Sequence, residues 1–343
     1  MSGGVDSSVA AALLLEQGHD VTGVTMRLWP SDEDEDGCCA VNATHDAKRV
    51  CDLLGIAHYT VDYRSAFERE IVDAFADEYA RGRTPNPCVE CNVRLKFTEL
   101  LAEVWSRGAD YLATGHYARI VRDASGEAWL ARGLDSDKDQ SYFLYRLTAE
   151  QARRVLFPVG ELRKSDVRSF ARRLILPVAE KAESQEACFA ADGDYLPAVR
   201  SRRPEAFATG EIVDESGTVL GMHAGIPAYT VGQRKGLGIG GAGDPLYVLA
   251  LDAEANRIIV GPASRLGTDS VRAERVVWRG GPTESVMACV RYRMNAVPAV
   301  ARFDGKTLDV AFESRLPGIS PGQSVVCYRG DIVIGGGVIS CAT

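Results

Sequence analysis

The segment Ser2-Gly3-Gly4-Val5-Asp6-Ser7-Ser8 carries the densest chemistry in the chain. Adjacent glycines reach backbone angles closed to other residues and let an anion approach the main chain. Ser7 and Ser8 open the apolar run Val9, Ala10, Leu13 and Leu14, with Gly18 where a helix should stop. A tight glycine turn thus feeds a helix N-terminus, where unpaired N–H groups and the helix dipole attract phosphate. Asp6 can hold a phosphate-bound Mg²⁺, and the serine hydroxyls can donate to phosphate oxygens. No lysine follows the glycines, so this is not the Walker loop that grips β- and γ-phosphates. The alternative is an ordinary glycine turn ahead of a core helix.

The second set of reactive groups is thiols. Thr84-Pro85-Asn86-Pro87-Cys88-Val89-Glu90-Cys91-Asn92 reads as a stiff, proline-bracketed loop leading into a helix. With Asn92 as N-cap, Cys91 would stand beside the helix N-terminus, where the thiolate is favoured. Glu183-Ser184-Gln185-Glu186-Ala187-Cys188-Phe189 places another thiol in a polar segment with neither helical nor strand period. Cys51 falls on an apolar helix stripe and reads as core; Cys289, Cys327 and Cys341 fall in apparent strands and read the same way. Cys38-Cys39, after the acidic run Asp32 to Asp36, stays open between roles. Cys88 and Cys91 have metal-ligand spacing, but without a second CxxC a closed four-cysteine zinc site is not expected.

The elements that must position these groups alternate in the first half. Val21 to Trp29 is a nearly continuous apolar run, as in a strand buried on both faces. Ala47, Val50, Cys51 and Leu54 recur at helical spacing before Gly55, and Ala57 to Val61 is the next strand. Phe67, Ile71, Val72, Phe75 and Tyr79 form one helical stripe; Phe97, Leu100, Leu101, Val104 and Trp105 form another, ended by Gly108. Asp110 to Thr114 returns as a strand. This order predicts an α/β fold with a parallel sheet covered by helices on both sides. Ligands in such sheets bind at the carboxyl ends of the strands, which would gather the glycine loop, Met26 and Gly115-His116 on one edge. A phosphate loop of this kind should follow a strand, yet Met1 immediately precedes Ser2. The expectation is a sheet lacking a central strand, from a late start or a truncation.

From about Gly210 short alternating runs take over: Glu211 to Val213, Val219 to Met222, Tyr247 to Leu251, Arg257 to Val260, Ala299 to Phe303, Leu308 to Phe312 and Ser324 to Tyr328. Asp214-Glu215-Ser216-Gly217 and Asp304-Gly305-Lys306 read as hairpin turns, and Pro262 to Asp269 as a linker. Small β-domains or a barrel are expected there.

At 343 residues the chain should hold two or three domains. A hydrophobic content of 46% with no stretch long enough to span a bilayer gives no sign of a membrane partner. Nine cysteines at irregular spacing are not a disulfide framework and point to a reducing cytoplasm. The net charge of −8 argues mildly against nucleic acid, but it is an average. Positive charge gathers at Arg163, Lys164, Arg168, Arg172 and Arg173, at Arg200, Arg202 and Arg203, at Arg234 and Lys235, and at Arg291 and Arg293. Phosphate binding needs a local basic face rather than a basic total. For any single cluster, a solvated surface is the simpler account.

The glycine loop resembles the pyrophosphate loop of ATP pyrophosphatases, which cut ATP between its α- and β-phosphates. Taken with TPNPCVECN (84–92), ATGHYAR (113–119), KDQSYFLY (138–145), FPVGELRKSDVR (157–168), ESQEACF (183–189), YTVGQRKGLGIGG (229–241) and LPGISPGQ (316–323), it resembles the tRNA-specific 2-thiouridylase family over essentially the whole chain. The resemblance implies an ATP pyrophosphatase domain over 1–203, a central β-domain over 204–264 and a C-terminal β-barrel over 265–343. It implies formation of 2-thiouridine at the wobble position of the tRNAs for Lys, Glu and Gln. By the same resemblance Ser2, Gly3, Gly4, Val5, Asp6, Ser7, Met26 and Gly115 contact ATP. Asn86, Pro87 and Cys88 face the target base, Cys91 is the nucleophile and Cys188 carries the persulfide sulfur. His116, Lys138, Asp139, Gln140, Arg291, Tyr292 and Gln323 touch tRNA.

The implied chemistry adenylylates O2 of uridine, with Mg²⁺ at the pyrophosphate, and delivers sulfur received from a donor protein, a cysteine desulfurase or sulfur relay. A Cys91–Cys188 disulfide then forms and must be reduced. Cys88 stands where other members carry Asp, so Cys88, Cys91 and Cys188 could instead hold an iron–sulfur cluster. Two other readings remain open: a related ligase or amidotransferase that uses nitrogen, and a non-catalytic RNA-binding relative.

Overall fold

A computed structural model of the chain describes residues 1–29, 41–182, 187–190, 193–240 and 244–342. These form two compact units: Met1–Ile71 with Cys88–Gly193 and Asp331–Val333, and Val72–Pro87 with Asp194–Gly330 and Ile334–Thr343. The acidic run Asp32 to Asp36, Cys38-Cys39 and Glu183 to Glu186 lie outside the described residues.

The first unit is α/β. It opens with helix α1 (Val5–Glu16), strand β1 (Gly23–Arg27), helix α2 (Val41–Leu54) and strand β2 (His58–Asp62). Gly18 and Gly55, at φ +84° and +70°, follow α1 and α2 as the stop signals require. A continuous helix, α3, runs over 87–106, its middle segment Asn92–Leu100 wound with the wider i→i+5 pairing. Strand β3 (Leu112–Ala113), the hairpin β4 (Ala118–Arg122) with β5 (Ala128–Arg132), strand β6 (Val155–Leu156) and helix α4 (Lys164–Arg173) follow, with short helical turns between them. β1 pairs with β2 and β3 with β6, both parallel, as the alternating order requires.

Among the described residues the two parallel pairs are not joined into one sheet. Beside β1 the Met1 amine donates to the Val24 carbonyl, and Thr25 Oγ1 donates to the Met1 carbonyl at 2.8 Å. Val5, Val9 and Ala10 of α1 pack with Val167 and Ala171 of α4 and with Tyr117 in one buried core.

The second unit is mostly β. After the short helix α5 (Leu196–Arg202), β7 (Gly210–Asp214), β8 (Val219–His223), β9 (Leu246–Asp252) and β10 (Arg257–Pro262) form a four-stranded sheet in the order β8-β7-β10-β9. Its core is Ile212, Ile226, Tyr229, Leu237, Val248, Ile258 and Val260. Then β11 (Gly267–Trp278), β12 (Thr283–Cys289), β13 (Val297–Phe303), β14 (Leu308–Pro317), β15 (Ser324–Arg329) and β16 (Ile332–Ala342) close into a six-stranded barrel through β11 and β16. The expected linker ends early, because Gly267 already begins β11. Strand β16 runs through Gly335, Gly336 and Gly337. A Cβ on Gly335 would meet the Val277 carbonyl oxygen at 2.2 Å, so the barrel closes only where that side chain is absent.

Cys51, Cys289 and Cys327 are buried as expected, and burial pushes the Cys51 and Cys327 thiols up. Cys341 is exposed, which corrects its assignment to the core. No helix among the described residues is long and apolar enough to cross a membrane.

Candidate functional site

Gly3 takes φ +70°, and a Cβ there would lie 2.2 Å from the Ala43 carbonyl oxygen, so the turn tolerates no side chain. Gly4 is extended and caps α1 without a side-chain acceptor, leaving the first N–H groups of the helix to other partners. Ser7 and Ser8 both donate to the Gly4 carbonyl, at 3.2 and 2.9 Å, and the Ser2 and Ser7 hydroxyls lie 3.0 Å apart. Gly115 approaches the same turn: a Cβ on it would stand 2.6 Å from Ser7 N. The glycine loop and Gly115 are thus brought together, as ligand binding at one edge requires. Met26 lies near the carboxyl end of β1, half-buried.

The Asp6 carboxylate is the centre of this site. Tyr117 Oη donates to its Oδ1 at 2.7 Å, and Lys164 Nζ reaches Oδ1 and Oδ2 at 2.7 and 2.9 Å. The sequence marks Lys164 only as one member of a basic cluster and does not single out Tyr117, although Tyr117 lies inside ATGHYAR and Lys164 inside FPVGELRKSDVR. Behind them, Gln140 Oε1 accepts from Tyr117 N at 2.9 Å, and Gln140 N donates to the Tyr117 carbonyl at 2.8 Å. Asp135 Oδ2 accepts from Lys164 N at 2.8 Å, fixing the start of α4.

The cysteine helix differs from its sequence reading. α3 begins at Pro87, so Asn92 is no N-cap. Asn92 is helical and buried, its Nδ2 donating to the Phe143 carbonyl at 3.1 Å and its Oδ1 accepting from Lys96 at 2.9 Å. Proline at the first helical position explains the earlier start, because its missing N–H is not needed there. Cys88 therefore occupies the first turn and is exposed, while Cys91 lies one turn further and is buried. Between them Glu90 pairs with Arg146 at 2.6 Å and Arg94 at 3.0 Å, and Arg94 reaches Glu70 at 2.6 Å. Cys188 is half-buried. Its neighbour Phe189 stacks with Trp29 and Phe67, at 6.4 and 6.1 Å, just beyond the ends of β1 and β2. Upstream, Arg168 donates to the Ala179 and Lys181 carbonyls, at 2.7 and 3.1 Å.

Three family models match the chain in sequence order: the tRNA methyl transferase HUP domain over residues 1–192, the tRNA methyl transferase PRC-barrel domain over 200–262, and the aminomethyltransferase beta-barrel domain over 268–339. A tRNA-specific 2-thiouridylase MnmA of Geobacter metallireducens is 49% identical, covering 100% of this chain and 96% of its own length. Those of Carboxydothermus hydrogenoformans and Heliobacterium modesticaldum are 47% and 48% identical, each over 99% of this chain and 96% and 91% of their own. The chain belongs to the tRNA-specific 2-thiouridylase family. Among solved structures, the NMN synthetase of Francisella tularensis covers 60% of this chain and 82% of its own at 19% identity, with a TM-score of 0.31, too distant to argue from.

Several residues that the 2-thiouridylase resemblance assigns to tRNA face inward in this chain. Asp139 is buried, and its carboxylate accepts from Gly133 N and Ser141 N at 3.0 Å each, from Ser141 Oγ at 2.9 Å and from Arg132 at 3.2 Å. Gln140 holds Tyr117, as described. His116 Nδ1 bonds Thr114 Oγ1 at 2.7 Å, and its ring packs against Phe97 and Phe157. Desolvation, with the Lys96 charge adding to it, holds this imidazole well below its ordinary value. Lys138 is half-buried, its N–H bonded to the Asp135 carbonyl at 3.1 Å.

In the second unit Gln323 Nε2 donates to the Thr84 carbonyl at 2.9 Å, and Thr84 N donates to Pro321 at 2.8 Å. Gly322 leaves room for this, since a Cβ would lie 2.9 Å from Thr84. The loop carrying Asn86 and Pro87 is thereby tied to LPGISPGQ. The Arg291 guanidinium donates to the Pro317 carbonyl at 2.8 Å and stays exposed, beside half-buried Tyr292. Arg202 and Arg203 instead pair with Asp73 and Asp77, at 2.8 and 2.5 Å, which neutralises two of the three arginines of that cluster.

Proposed function

We propose that this chain catalyses ATP-dependent 2-thiolation of the wobble uridine of tRNA in the cytoplasm, releasing AMP and pyrophosphate. The observation that carries the reading is the joining, in one compact unit, of a side-chain-free turn at a helix N-terminus with the thiols of Cys91 and Cys188. The family descriptions mention methyl transfer, but a methyl donor needs neither a phosphate turn nor paired thiols.

Uridine O2 is a poor leaving group, and adenylylation turns it into AMP. Ser2 to Ser7 and Gly115 line the phosphate end of the reaction. Asp6 fits Mg²⁺, a hard cation usually held by one or two carboxylates together with substrate phosphates. Bound there, the metal would neutralise charge on the departing pyrophosphate. Sulfur delivered by a donor protein rests on Cys188 as a persulfide. Its outer sulfur attacks C2, AMP leaves, and the base is joined to Cys188 through a disulfide. The Cys91 thiolate attacks Cys188 Sγ, which releases 2-thiouridine as its thiolate and leaves a Cys91–Cys188 disulfide for a cellular dithiol to reduce. The exposed Arg291 and the Arg234–Lys235 turn are the candidate tRNA contacts in the second unit.

A cluster on Cys88, Cys91 and Cys188 finds less support. Among the described residues no group of three His, Cys, Asp or Glu side chains is placed to hold a metal ion, so no step is routed through one. The test is thiolation by reduced, iron-stripped protein supplied with ATP, Mg²⁺, a persulfide and tRNA. The expected products are 2-thiouridine, AMP and pyrophosphate. ADP with phosphate would refute the pyrophosphate loop, and a strict requirement for iron and sulfide would refute the persulfide route.

A further inference from the structure

We infer that Trp29 and Phe67 are positioning residues for sulfur transfer: their rings seat Phe189, and the seated ring sets the orientation of the Cys188 thiol at the carboxyl edge of β1 and β2. The inference rests on the persulfide reading above and deepens it by naming what holds the sulfur carrier.

Ala187 to Ala190 form a tight turn, closed by the Ala190 N–H donating to the Ala187 carbonyl at 2.9 Å. Cys188 and Phe189 are its two central residues. Of the four, Phe189 alone is buried, at 8% exposure, while Ala187, Cys188 and Ala190 are half-buried. The ring therefore anchors the turn. The closed turn constrains the backbone of both central residues, so fixing one side chain orients the other.

The seat comes from two other elements. Trp29 stands two residues past the end of β1, and Phe67 five past the end of β2. Trp29 and Phe67 lie 6.2 Å apart between centroids, and Phe189 lies 6.4 and 6.1 Å from them. The ring planes meet at 74°, 49° and 60°, the tilted and edge-on arrangements that aromatic quadrupoles favour. Phe67 is a firm floor: it is buried, and its N–H donates to the Tyr63 carbonyl at 2.7 Å. Half-buried Trp29 extends from the strand that carries Met26, so the sulfur carrier is held at the edge where such sheets bind their ligands. The Cys188 sulfur takes part in two successive displacements, and a misplacement of ~1 Å in such a site costs on the order of 10²-fold in rate. A cluster that served stability alone would leave the thiol as reactive as before.

The experiment compares the whole chain with Trp29→Ala, Phe189→Ala and the double variant, with urea unfolding as the folding control. Three quantities are measured: the rate of Cys188 alkylation by iodoacetamide, read by mass spectrometry of its peptide; ATP affinity with Mg²⁺; and single-turnover thiolation of tRNA with saturating ATP and a small-molecule persulfide. Each single variant should alkylate at Cys188 about threefold faster or more, as exposure of the thiol rises. Each should bind ATP as wild type does and thiolate about tenfold slower or more. The double variant should be no slower than the slower single one, because both changes remove the same contact. Trp29→Phe, which keeps a ring, should recover most of the rate. Wild-type alkylation in Trp29→Ala, or losses that multiply in the double variant, would overturn the inference. Lost ATP affinity in Trp29→Ala would make Trp29 a nucleotide contact and overturn it too. Wild type that forms no 2-thiouridine would overturn the persulfide reading and the transfer role with it, while alkylation would still decide whether the rings seat Cys188. Should Trp29→Ala unfold, Trp29→Leu carries the same comparison.

Discussion

Replacing Gly115 by alanine puts the phosphate site to a steric test whose size follows from three distances. The new Cβ would stand 2.6 Å from Ser7 N, 2.7 Å from the Asp6 carbonyl carbon and 3.0 Å from Asp6 Cβ. An unstrained contact needs ~3.5 Å, so the start of α1 must retreat by roughly 0.9 Å. Gly115 is not in the left-handed region, so alanine brings no backbone strain and the effect is packing alone. Two of the three opposing atoms are main chain, and no rotamer change relieves them. Overpacking of this kind costs about 1–3 kcal/mol. The catalytic cost should be larger, because a displacement near 1 Å in a positioned site is worth ~10²-fold. The assay pairs urea unfolding with Mg·ATP affinity and single-turnover thiolation. Gly115→Ala should lose modest stability and most of its turnover. Gly240→Ala, where a Cβ meets nothing within 4 Å, should lose neither. A Gly115→Ala protein with wild-type stability and ATP affinity would show that Gly115 does not abut the Asp6–Ser7 turn.

Asp139→Ala strands four donors around a buried carboxylate and should destabilise the protein by about 2–4 kcal/mol in urea unfolding, with tRNA affinity of the folded fraction unchanged. Loss of tRNA affinity at wild-type stability would instead make it a contact residue. His116 resists in the folded protein a proton that the unfolded chain accepts below about pH 6.5, so the stability it contributes is full above that pH and falls with acidification, by up to ~1.4 kcal/mol per pH unit. His116→Gln should flatten the stability profile between about pH 5 and 7; unchanged slopes would refute the assignment.

What the sequence disclosed was whatever leaves a local trace. The glycine turn, the α1 run and its Gly18 stop, and the Asp214 and Asp304 turns all arise from residues a few positions apart, and the parallel order of β1 and β2 from the helix that alternates with them. The β11–β16 pairing that closes the expected barrel left no local trace, because its two strands are far apart in sequence. Nor did the partners of Asp6: Tyr117 lies 111 residues away and Lys164 158. Both stand in motifs whose order was plain, yet only their convergence on one carboxylate gives them a role. Asp139 and Gln140 show the converse. For these two the family resemblance implied a tRNA contact, whereas the Asp139 carboxylate is taken up by four donors and Gln140 holds Tyr117 against Asp6.

The one-turn shift in the start of α3 alters how the cysteine chemistry should be understood. With the helix beginning at Pro87, the dipole and unpaired N–H groups that favour a thiolate act on exposed Cys88 rather than on Cys91. Cys91 is instead shielded, on a helical segment pinned by the Arg146–Glu90–Arg94 pairs and by Asn92 to Phe143. Shielding suits a thiol that acts second. Under the proposed mechanism it needs to meet only one electrophile, the Cys188 sulfur already joined to the base, and burial keeps other disulfides and oxidants from reaching it first. The half-buried Cys188, held by its neighbour Phe189 in the Trp29–Phe67 cluster, has the opposite requirement under that mechanism: it would receive sulfur from another protein, and so could not be sealed. The difference in exposure between the two thiols therefore matches the order of action that the proposed mechanism assigns them.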